Sequence, residues 1–319
     1  MESRTKNKQS EETLQRMVAK FYPKDSIASC LELTEGYFNV AYLVTLKCNK
    51  QFILKIAPQP GTRVMSYEKN IMFCEVEAMR RVAENAAIPA PKVLGYDDSC
   101  VICPSPYFLM EKLEGDSLSS IKDQLKEEEI EAIYTRLGEV NKEINAIRCP
   151  CFGYPGQTRL QGKKWYEVFK EMLSLGITDA EAGAVDLRID TEKLLERLEQ
   201  DKEIFDEVLS PRLVHWDCWD GNIFVKNKQM VGLIDWERCL WADPLMEVGF
   251  RTYEDHSSFW KGYGVTRLTA REQRRALWYD IYALLLMSLE CEYRQYDTLE
   301  MYEWANGLLK QQVMKLSSL

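Results

Sequence analysis

The segment that most restricts the fold of this chain is LVHWDCWDGNIFV, residues 213–225. It begins and ends with apolar residues and carries two aspartates, an asparagine and one of the chain's two histidines between them. Such turn-forming residues alone are typical of a tight connection between two strands. However, His215, Asp217 and Asn222 have the spacing H-x-D-x-x-x-x-N, and a second apolar strand, MVGLIDWERC, then delivers another acid at Asp235. The fold therefore has to place the acids Asp217 and Asp235 and the amide of Asn222 around two neighbouring strands.

The composition predicts a folded protein without a membrane segment. Hydrophobic residues make up 46% of the 319-residue chain, which is enough for a core and too much for global disorder. The N-terminus, MESRTKNKQSEE, lacks the apolar stretch of a signal peptide, and the run IYALLLMSL is too short to span a bilayer. We therefore expect a soluble, cytoplasmic protein with no membrane partner.

The ten cysteines are scattered along the sequence. In a reducing compartment, free thiols are favoured over disulfides. The pairs Cys100/Cys103 and Cys149/Cys151 offer four thiolates for zinc. Apolar and strand-like residues surround the first pair, so buried and surface thiols are the preferred interpretation.

Charge is divided unevenly along the chain. The formal net charge of −9 argues against nucleic acid as the main partner. Residues 1–112 carry 15 Lys+Arg and 13 Asp+Glu, and residues 113–319 carry the remaining 26 and 37, so the two parts have net charges of +2 and −11. This imbalance predicts a boundary between them and fits a cationic ligand on the acidic side. A solvated acidic surface is the alternative explanation.

The pattern of the first part is typical of a small sheet accompanied by helices. Residues 10–22 predict a short amphipathic helix with Ser10 as its cap. The segments SCLELTEG, NVAYLVTLKC and QFILKIAP predict three antiparallel strands in a meander. Two further strands are expected within IPAPKVLGYD and VICPSPYFLMEKLEGDSL, the second of which ends in a polar, Gly-bearing linker at residues 111–117.

A helix predicted over residues 65–86 distinguishes two glutamates. Apolar residues such as Met72 and Val76 recur at helical spacing and form a buried stripe. Glu75 lies on this stripe, whereas Glu77 falls on the opposite face. Because a buried acid requires a cationic partner, we expect Glu75 to point inward and to pair with a cation.

The second part is predominantly helical and is interrupted by the strands around the two polar motifs. The whole layout is therefore a small β-rich lobe, a short connector and a larger helical lobe. Helices are predicted at residues 126–147, 164–176, 190–209, 268–293 and 297–316.

The polar residues of these motifs match the requirements of phosphoryl transfer from a nucleotide. That reaction needs an acid that orients the acceptor hydroxyl, oxygen ligands for Mg²⁺ and a cation on the phosphates. Asp217 is the candidate for the catalytic acid or base, and Asn222 and Asp235 are the candidates for the metal. Lys55, in the third strand, is expected to hold the phosphates, with Glu75 positioning it.

Together these segments resemble the aminoglycoside phosphotransferase-like kinases, which are small-molecule relatives of the protein kinases. The resemblance is carried by FILKIAP, EVEAMRRVAENAAIPAPKVLG, YFLMEKLEG, HWDCWDGNIFV and GLIDWERCLWADP, which occur in the family's order within residues 30–250. It implies a bilobal, protein-kinase-like α+β fold with a small antiparallel sheet in the N-lobe and a mostly helical C-lobe. The adenine would then meet the backbone of Glu111 and Leu113, and the turn that contains Gly36 would cover the nucleotide.

The chain departs from the family pattern at several positions. The turn has one glycine, so Gly36 alone is a weak signal, and DWE stands where protein kinases have DFG. Trp216 and Asp220 occupy positions where glycine and proline or serine are common in the family, and these changes bear on acceptor preference. We expect His215 to hold the loop through backbone hydrogen bonds, and Asp243 to cap a helix that begins at a proline.

The predicted division is a nucleotide-binding lobe at residues 1–112 and a lobe with the catalytic loop and the acceptor site at residues 113–319. The expected reaction transfers a phosphoryl group from ATP or GTP, with Mg²⁺, to a hydroxyl of a small molecule.

An aminoglycoside is the leading acceptor, which would make the chain an antibiotic-resistance enzyme. Choline, a fructosamine, a macrolide or another sugar-like metabolite are alternatives, and a nucleotide-binding pseudokinase is the alternative from another class. The oligomeric state is left open. Candidate acceptor contacts are Asp220, Glu237, Asp255, Glu290 and Glu292.

Overall fold

Alternating apolar residues build a five-stranded antiparallel sheet in the first part of the chain. The computed structural model describes residues 6–34 and 38–318. In the second strand, Val40, Tyr42 and Val44 are buried while the residues between them are half-buried, which is the period of two expected for a strand. The predicted meander is confirmed, and two more strands extend it in the order β1-β2-β3-β5-β4. The strands are β1 (Ile27–Leu33), β2 (Val40–Leu46), β3 (Gln51–Ile56), β4 (Val93–Asp97) and β5 (Tyr107–Glu111).

Helix α1 (Glu11–Ala19) covers one face of this sheet. The side chain of Ser10 accepts a hydrogen bond from the backbone nitrogen of Thr13, so the predicted N-cap is confirmed. The buried side chains of α1, those of Leu14, Met17 and Val18, form a core with the apolar residues of β2 and β3.

Helix α2 (Ile71–Val82) is shorter than the helix predicted over residues 65–86. It begins after Asn70, whose φ of 56° lies in the left-handed region and cannot continue a helix. A short 3₁₀ turn at Ser66–Glu68 precedes it. The buried apolar residues of α2 belong to the large core that continues into the helical part, so this helix links the two parts of the molecule.

The second part is mostly helical, and the long predicted helices are confirmed with changed ends. The helix predicted over residues 190–209 is divided at Asp201, and the helix Ser257–Tyr263 was not predicted because seven residues give too little periodicity. No helix in the described ranges is both long and apolar enough to cross a membrane. The helices are α3 (Leu118–Ile121), α4 (Glu127–Ala146), α5 (Trp165–Gly183), α6 (Thr191–Gln200), α7 (Lys202–Phe205), α8 (Ser257–Tyr263), α9 (Ala270–Arg294) and α10 (Glu300–Ser318).

Short strands in the second part position the polar motifs. One strand leads directly into the loop at residues 215–222, and the hairpin that follows this loop ends two residues before Asp235. These strands form two small sheets, in the orders β11-β10-β6 and β8-β7-β12-β9. The fold is the bilobal, protein-kinase-like α+β arrangement that the sequence predicts. The strands are β6 (Asp116–Ser117), β7 (Phe152–Gly153), β8 (Gln161–Gly162), β9 (Arg212–Val214), β10 (Ile223–Lys226), β11 (Gln229–Leu233) and β12 (Leu240–Ala242).

Candidate active site

His215 holds the loop at residues 215–222 from its buried side. Its ring is fully buried, and its Nε2 lies 3.2 Å from the carbonyl oxygen of Ile234. Its Nδ1 accepts a hydrogen bond of 3.3 Å from the backbone nitrogen of Asp217. Burial lowers the pKa of His215 to about 4, so the ring is neutral and donates from Nε2. This is the backbone-holding role that the sequence predicts for His215.

A buried carboxylate, that of Glu247, supports the same loop from a second direction. It accepts hydrogen bonds from the backbone nitrogens of His215 at 2.9 Å and Trp216 at 3.0 Å. A third bond, of 3.0 Å, comes from Asn145 Nδ2. Burial raises the pKa of Glu247 to about 7. Sequence reasoning missed this residue, because an acid among apolar residues after the DPLM segment gives no sign of what it will contact.

Trp216 adopts a backbone conformation that normally favours glycine. Its φ of 62° lies in the left-handed region, which costs a non-glycine residue about 1–3 kcal/mol. The indole is buried and stacks on Tyr282, with ring centroids 5.4 Å apart and an interplanar angle of 5°. The stacking of Trp216 on Tyr282 offsets part of this strain.

Asp217 and Asn222 lie side by side. Asn222 Nδ2 donates to the backbone oxygen of Asp217 at 2.8 Å and to its Oδ2 at 3.0 Å. The amide oxygen of Asn222 is therefore the group left for a cation. Burial raises the pKa of Asp217, and the positive charges of Arg238 and Arg251 act in the opposite direction.

Lys55 joins the N-terminal sheet to the segment that contains Asp235. Its Nζ lies 2.8 and 2.9 Å from the carboxylate oxygens of Glu75 and 2.6 Å from Asp235 Oδ1. Burial disfavours the charged form of Lys55, but the carboxylates of Asp235 and Glu75 outweigh this effect and raise its pKa. Glu75 is fully buried, whereas Glu77 is partly exposed and pairs with Arg81 on the outer face of α2. The predicted orientation of the two glutamates is therefore observed.

Three carboxylates converge beside Lys55. Glu75, Asp235 and Glu237 each offer an oxygen, and these oxygens lie within 4.8 Å of one another. Burial raises the pKa of Glu75 to about 7 and raises that of Glu237 well above its usual range. For Asp235, the charge of Lys55 outweighs burial and lowers the pKa. The sequence set Glu237 among the acceptor contacts, but the structure places its carboxylate with these two acids.

The chemistry of this cluster fits a divalent cation. Three acids face one lysine, so acids outnumber bases in this group, and hard carboxylate oxygens are the ligands that Mg²⁺ prefers. Asn39 Nδ2 donates to Glu237 Oε2 at 2.8 Å. The Oδ1 of Asn39 is buried and has no hydrogen-bond partner within the described residues. A buried oxygen without a donor is a further group that a bound cation or its water would satisfy.

Two residues predicted for the nucleotide lie at the end of β5 and in the linker that follows it. Glu111 is the last residue of β5, and its backbone nitrogen donates to the oxygen of Lys92 at 3.0 Å. Leu113 follows in the linker and packs against Gly232 of β11, where a Cβ would come within 2.3 Å of Leu113 Cδ1. Gly36 lies outside the described residues. The adenine contacts therefore stay predictions.

Two of the acids predicted for the acceptor are bound to cations of the chain. Asp220 accepts from Lys122 Nζ and from the hydroxyl of Tyr134, both at 2.6 Å. Glu290 accepts from Arg238 Nη2 at 2.6 Å, and both side chains are largely buried.

The acids Glu292 and Asp255, also predicted for the acceptor, have partners within the chain as well. Glu292 lies 3.4 Å from Arg63 Nη1 and lines a groove of about 1030 Å³. Two helical positions separate it from Glu290, so the two side chains point to different faces of α9. Asp255 is exposed, and its Oδ1 accepts from the backbone nitrogen of Ser257 at 2.9 Å. Four of the five predicted acids are thus engaged by other groups of the chain, and the fifth, Glu237, lies with Glu75 and Asp235.

The last turn of α9 carries a contact that sequence reasoning missed. Arg294 forms a buried ion pair with Glu68, in the turn before α2. The Arg294 guanidinium also lies 4.2 Å from the centre of the Phe38 ring, directly after the Gly36 turn. Its partners lie more than 200 positions away in the sequence, so no local pattern predicts the contact.

Asp243 takes the structural position that the sequence predicts. Its carboxylate accepts from the backbone nitrogen of Leu245 at the start of a 3₁₀ helix with a proline at its first turn. It is also bound by Arg275 Nε at 2.9 Å and by the Tyr279 hydroxyl at 2.8 Å. These bonds make it a buried structural acid.

Comparison with known proteins agrees with this geometry. The sequence model of the phosphotransferase enzyme family matches residues 29–277, which is most of the chain. The chain belongs to this family. Two Aspergillus fumigatus proteins, both named as subtelomeric hrmA-associated cluster proteins, are 28% identical to this family member over 131 residues. That match covers 41% of the chain and 25% of each relative, so it spans about a quarter of the length of these curated relatives.

Solved structures share the fold of this phosphotransferase family member along nearly its whole length. The gentamicin–APH(2″)-IIa complex has a TM-score of 0.64 at 20% identity and covers 96% of this chain and 97% of that one. Aminoglycoside phosphotransferase APH(4)-Ia has a TM-score of 0.65 at 16% identity, with coverage of 96% and 99%. A putative aminoglycoside phosphotransferase from Ralstonia eutropha has a TM-score of 0.66 at 11% identity, with coverage of 97% and 98%. At these identities the likeness establishes the fold.

Proposed function

We propose that this chain transfers the terminal phosphoryl group of an ATP-type nucleotide to a hydroxyl group of a small molecule. The observation that carries the proposal is the position of Lys55, whose ammonium group is bound by both Glu75 and Asp235. A buried lysine paired with an inward glutamate, an aspartate for a metal ion, and the Asp217–Asn222 pair are groups that phosphoryl transfer uses. The nucleotide-binding lobe at residues 1–112 and the acceptor-binding lobe at residues 113–319 remain part of this proposal.

Each polar residue has a distinct task in this reaction. The carboxylate of Asp217 orients the acceptor hydroxyl and takes its proton as the hydroxyl oxygen bonds to the terminal phosphorus. The bond from that phosphorus to the bridging oxygen breaks, and the nucleoside diphosphate leaves. Lys55 neutralises charge on the phosphates, and Glu75 fixes its ammonium group. Catalysis comes from positioning and charge neutralisation, with no covalent enzyme intermediate.

Asp235, Glu237 and the amide oxygen of Asn222 are the groups that would hold Mg²⁺. When bound, the ion would neutralise charge on the phosphate oxygens. The convergence of three acids beside a single lysine supports this assignment.

The identity of the acceptor is the finer part of the proposal. Aminoglycoside complexes among the structural neighbours, and the net charge of −11 in the second part, support an aminoglycoside and hence a resistance role. The ion pairs that occupy Asp220 and Glu290 weaken the electrostatic support for such a polycation. Choline, a fructosamine, a macrolide and another sugar-like metabolite therefore stay in the test panel.

The test is a nucleotide-consumption assay with ATP and GTP against this panel. We expect one acceptor class to give turnover, and Asp217→Asn to lower kcat by about 10²-fold or more. Nucleotide affinity of the variant, measured by calorimetry, should stay close to that of the wild type. Asp123→Asn, at an exposed position, is the matched control and should leave kcat unchanged. Nucleotide binding without turnover on any acceptor would instead identify a pseudokinase.

A further inference from the structure

The acids beside the catalytic loop are already engaged within the chain. Asp220 is held by Lys122 and Tyr134, and Glu290 is held by Arg238. A cationic acceptor would have to displace a bonded lysine or a largely buried guanidinium to reach either acid, which costs the free energy of the existing contact. Neither Asp220 nor Glu290 is therefore free to bind a cationic acceptor.

Arg251 is the contrasting residue. Its guanidinium forms no ion pair with any residue in the described ranges, and its Cζ lies 5.9 Å from the centre of the Tyr253 ring. The hydroxyl of Tyr253 is buried and finds no hydrogen-bond partner among the same residues. A guanidinium without a carboxylate and a buried hydroxyl without an acceptor therefore lie together on one short segment. Both are donors that an anionic ligand would satisfy.

The fold brings this segment to the catalytic loop. Glu247, which binds the backbone nitrogens of His215 and Trp216, directly precedes the 3₁₀ turn Val248–Phe250. This turn rises by about 2 Å per residue, so the backbone of Arg251 lies within about 8 Å of that of Glu247, the residue that binds the loop. The charge of Arg251 acts on both Asp217 and the neighbouring Cys218, as expected from that proximity.

The acids nearest to Arg251 have bonds of their own. Asp280 accepts from the backbone nitrogen of Thr252 at 2.9 Å and from its hydroxyl at 2.6 Å. Glu254 lies 3.3 Å from His256 Nε2. Trp219, on the catalytic loop, is 48% exposed and offers an apolar surface beside Asp217.

We propose that Arg251 and the Tyr253 hydroxyl form an anion-binding subsite for the acceptor, which is a small hydroxyl compound that carries a carboxylate or a phosphate group. The proposal rests on the proposed phosphotransferase function and names the substrate class of that site. The guanidinium binds either anion in bidentate fashion, and the hydroxyl of Tyr253 donates a further hydrogen bond. The acceptor's anion on Arg251 then fixes its hydroxyl toward Asp217.

The experiment uses acceptors in matched pairs with the full chain and Mg·ATP. A hydroxy carboxylic acid is compared with its amide, a sugar phosphate with the free sugar, and an aminoglycoside is included as the polycation. Since a hydrogen bond to a charged group contributes about 1.5–3 kcal/mol, kcat/KM for the anionic member should exceed that of its neutral partner by about 10- to 100-fold. The two pairs distinguish a carboxylate from a phosphate.

Variants identify the residues responsible for this preference. Arg251→Gln should remove the preference by raising KM for the anionic acceptor, while Arg251→Lys should retain part of it. Tyr253→Phe should give a smaller loss. Arg267→Gln, at an exposed position, is the matched control and should behave like the wild type. Thermal unfolding of each variant checks that the fold is intact.

Three outcomes would overturn the subsite. The first is an equal kcat/KM within both pairs, so that the acid matches its amide and the sugar phosphate matches the free sugar. The second is a polycation as the best acceptor. The third is an unchanged preference for the anion in an Arg251→Gln variant that folds normally. Each of these leaves phosphoryl transfer standing. By contrast, nucleotide binding with no turnover on any acceptor would contradict both the proposed function and the subsite.

Discussion

At the scale of single residues, the ionisation of Asp217 connects the structure to the pH dependence of the reaction. Burial raises the pKa of Asp217, and the charge of Arg238 opposes that rise. A base accepts a proton only when it is ionised, so kcat should fall as the pH drops through this pKa. Removal of the opposing charge in Arg238→Gln should therefore move the acid limb of kcat to higher pH.

The measurement is kcat against pH at saturating nucleotide and acceptor. Arg238→Lys keeps the positive charge and should leave the limb nearer to its wild-type position. Arg267→Gln is the exposed control. An acid limb that stays in place in Arg238→Gln would mean that a group other than Asp217 controls it.

The two glutamates of α2 give a second prediction at this scale. Glu75 is fully buried against Lys55, whereas Glu77 pairs with Arg81 near the surface. Glu75→Gln should impair phosphate positioning and lower kcat/KM for the nucleotide by more than about 10-fold, because Lys55 loses a charged partner. Glu77→Gln should change the free energy of unfolding by no more than about 0.5 kcal/mol and leave the kinetics unaltered. Steady-state kinetics and denaturant unfolding of both variants decide this, and greater sensitivity at Glu77 would contradict the observed packing of α2.

At the scale of secondary-structure elements, the last turn of α9 ties the two parts of the chain together. Arg294 binds Glu68 before α2 and lies over Phe38, next to the turn expected to cover the nucleotide. We expect Arg294→Gln to raise KM for the nucleotide and to destabilise the fold by about 3–5 kcal/mol, because it leaves a buried carboxylate unpaired.

The helix also supplies the control for this prediction. Arg63 and Glu292 form a pair at about half exposure, and Arg63→Gln should cost no more than about 1 kcal/mol. In the double variant Glu68→Gln/Arg294→Gln, the loss of stability should be smaller than the sum of the single losses, because no unpaired charge remains. Additive losses, measured by denaturant unfolding, would show that the pair does not act as a unit.

Elements with short-range signals could be predicted from the sequence, whereas contacts between distant elements could not. The cap at Ser10, the strand meander and the inward face of Glu75 each depend on residues a few positions apart. The sequence alone singles out the residues of the two polar motifs because their spacing is local, and their roles stay predictions. Glu68 and Arg294 are 226 positions apart, and the buried Glu247 has partners 31 and 32 positions upstream, so only the folded chain brings these groups together.

At the scale of the whole molecule, ligand binding should appear as stability. A ligand that binds only the folded state adds about 2.7 kcal/mol when its concentration is 100 times its Kd. Mg²⁺ with ATP should therefore raise the Tm of the wild type more than ATP with a chelator does. Asp235→Asn should lose this Mg²⁺-dependent part, because the site loses a charged oxygen ligand.

A graded comparison completes this prediction. Asn222→Ala should lose less of the Mg²⁺-dependent stabilisation than Asp235→Asn, because a neutral amide cancels no charge. Thermal unfolding of the three proteins, with and without Mg²⁺, provides the measurement. Equal Mg²⁺-dependent shifts in the wild type and Asp235→Asn would remove Asp235 from the metal site.

The support of the catalytic loop by Glu247 and His215 has a consequence for how such a protein changes over generations. Both groups are buried behind the loop and fix its backbone, independently of Trp219, Arg251 and Tyr253. If Arg251 and Tyr253 bind the acceptor as proposed, substitutions at those three positions would alter which compound is modified without moving the proposed base. Reaction and selectivity would then depend on separate residues, so a lineage could acquire a new acceptor through a few substitutions while the proposed phosphoryl-transfer chemistry persists.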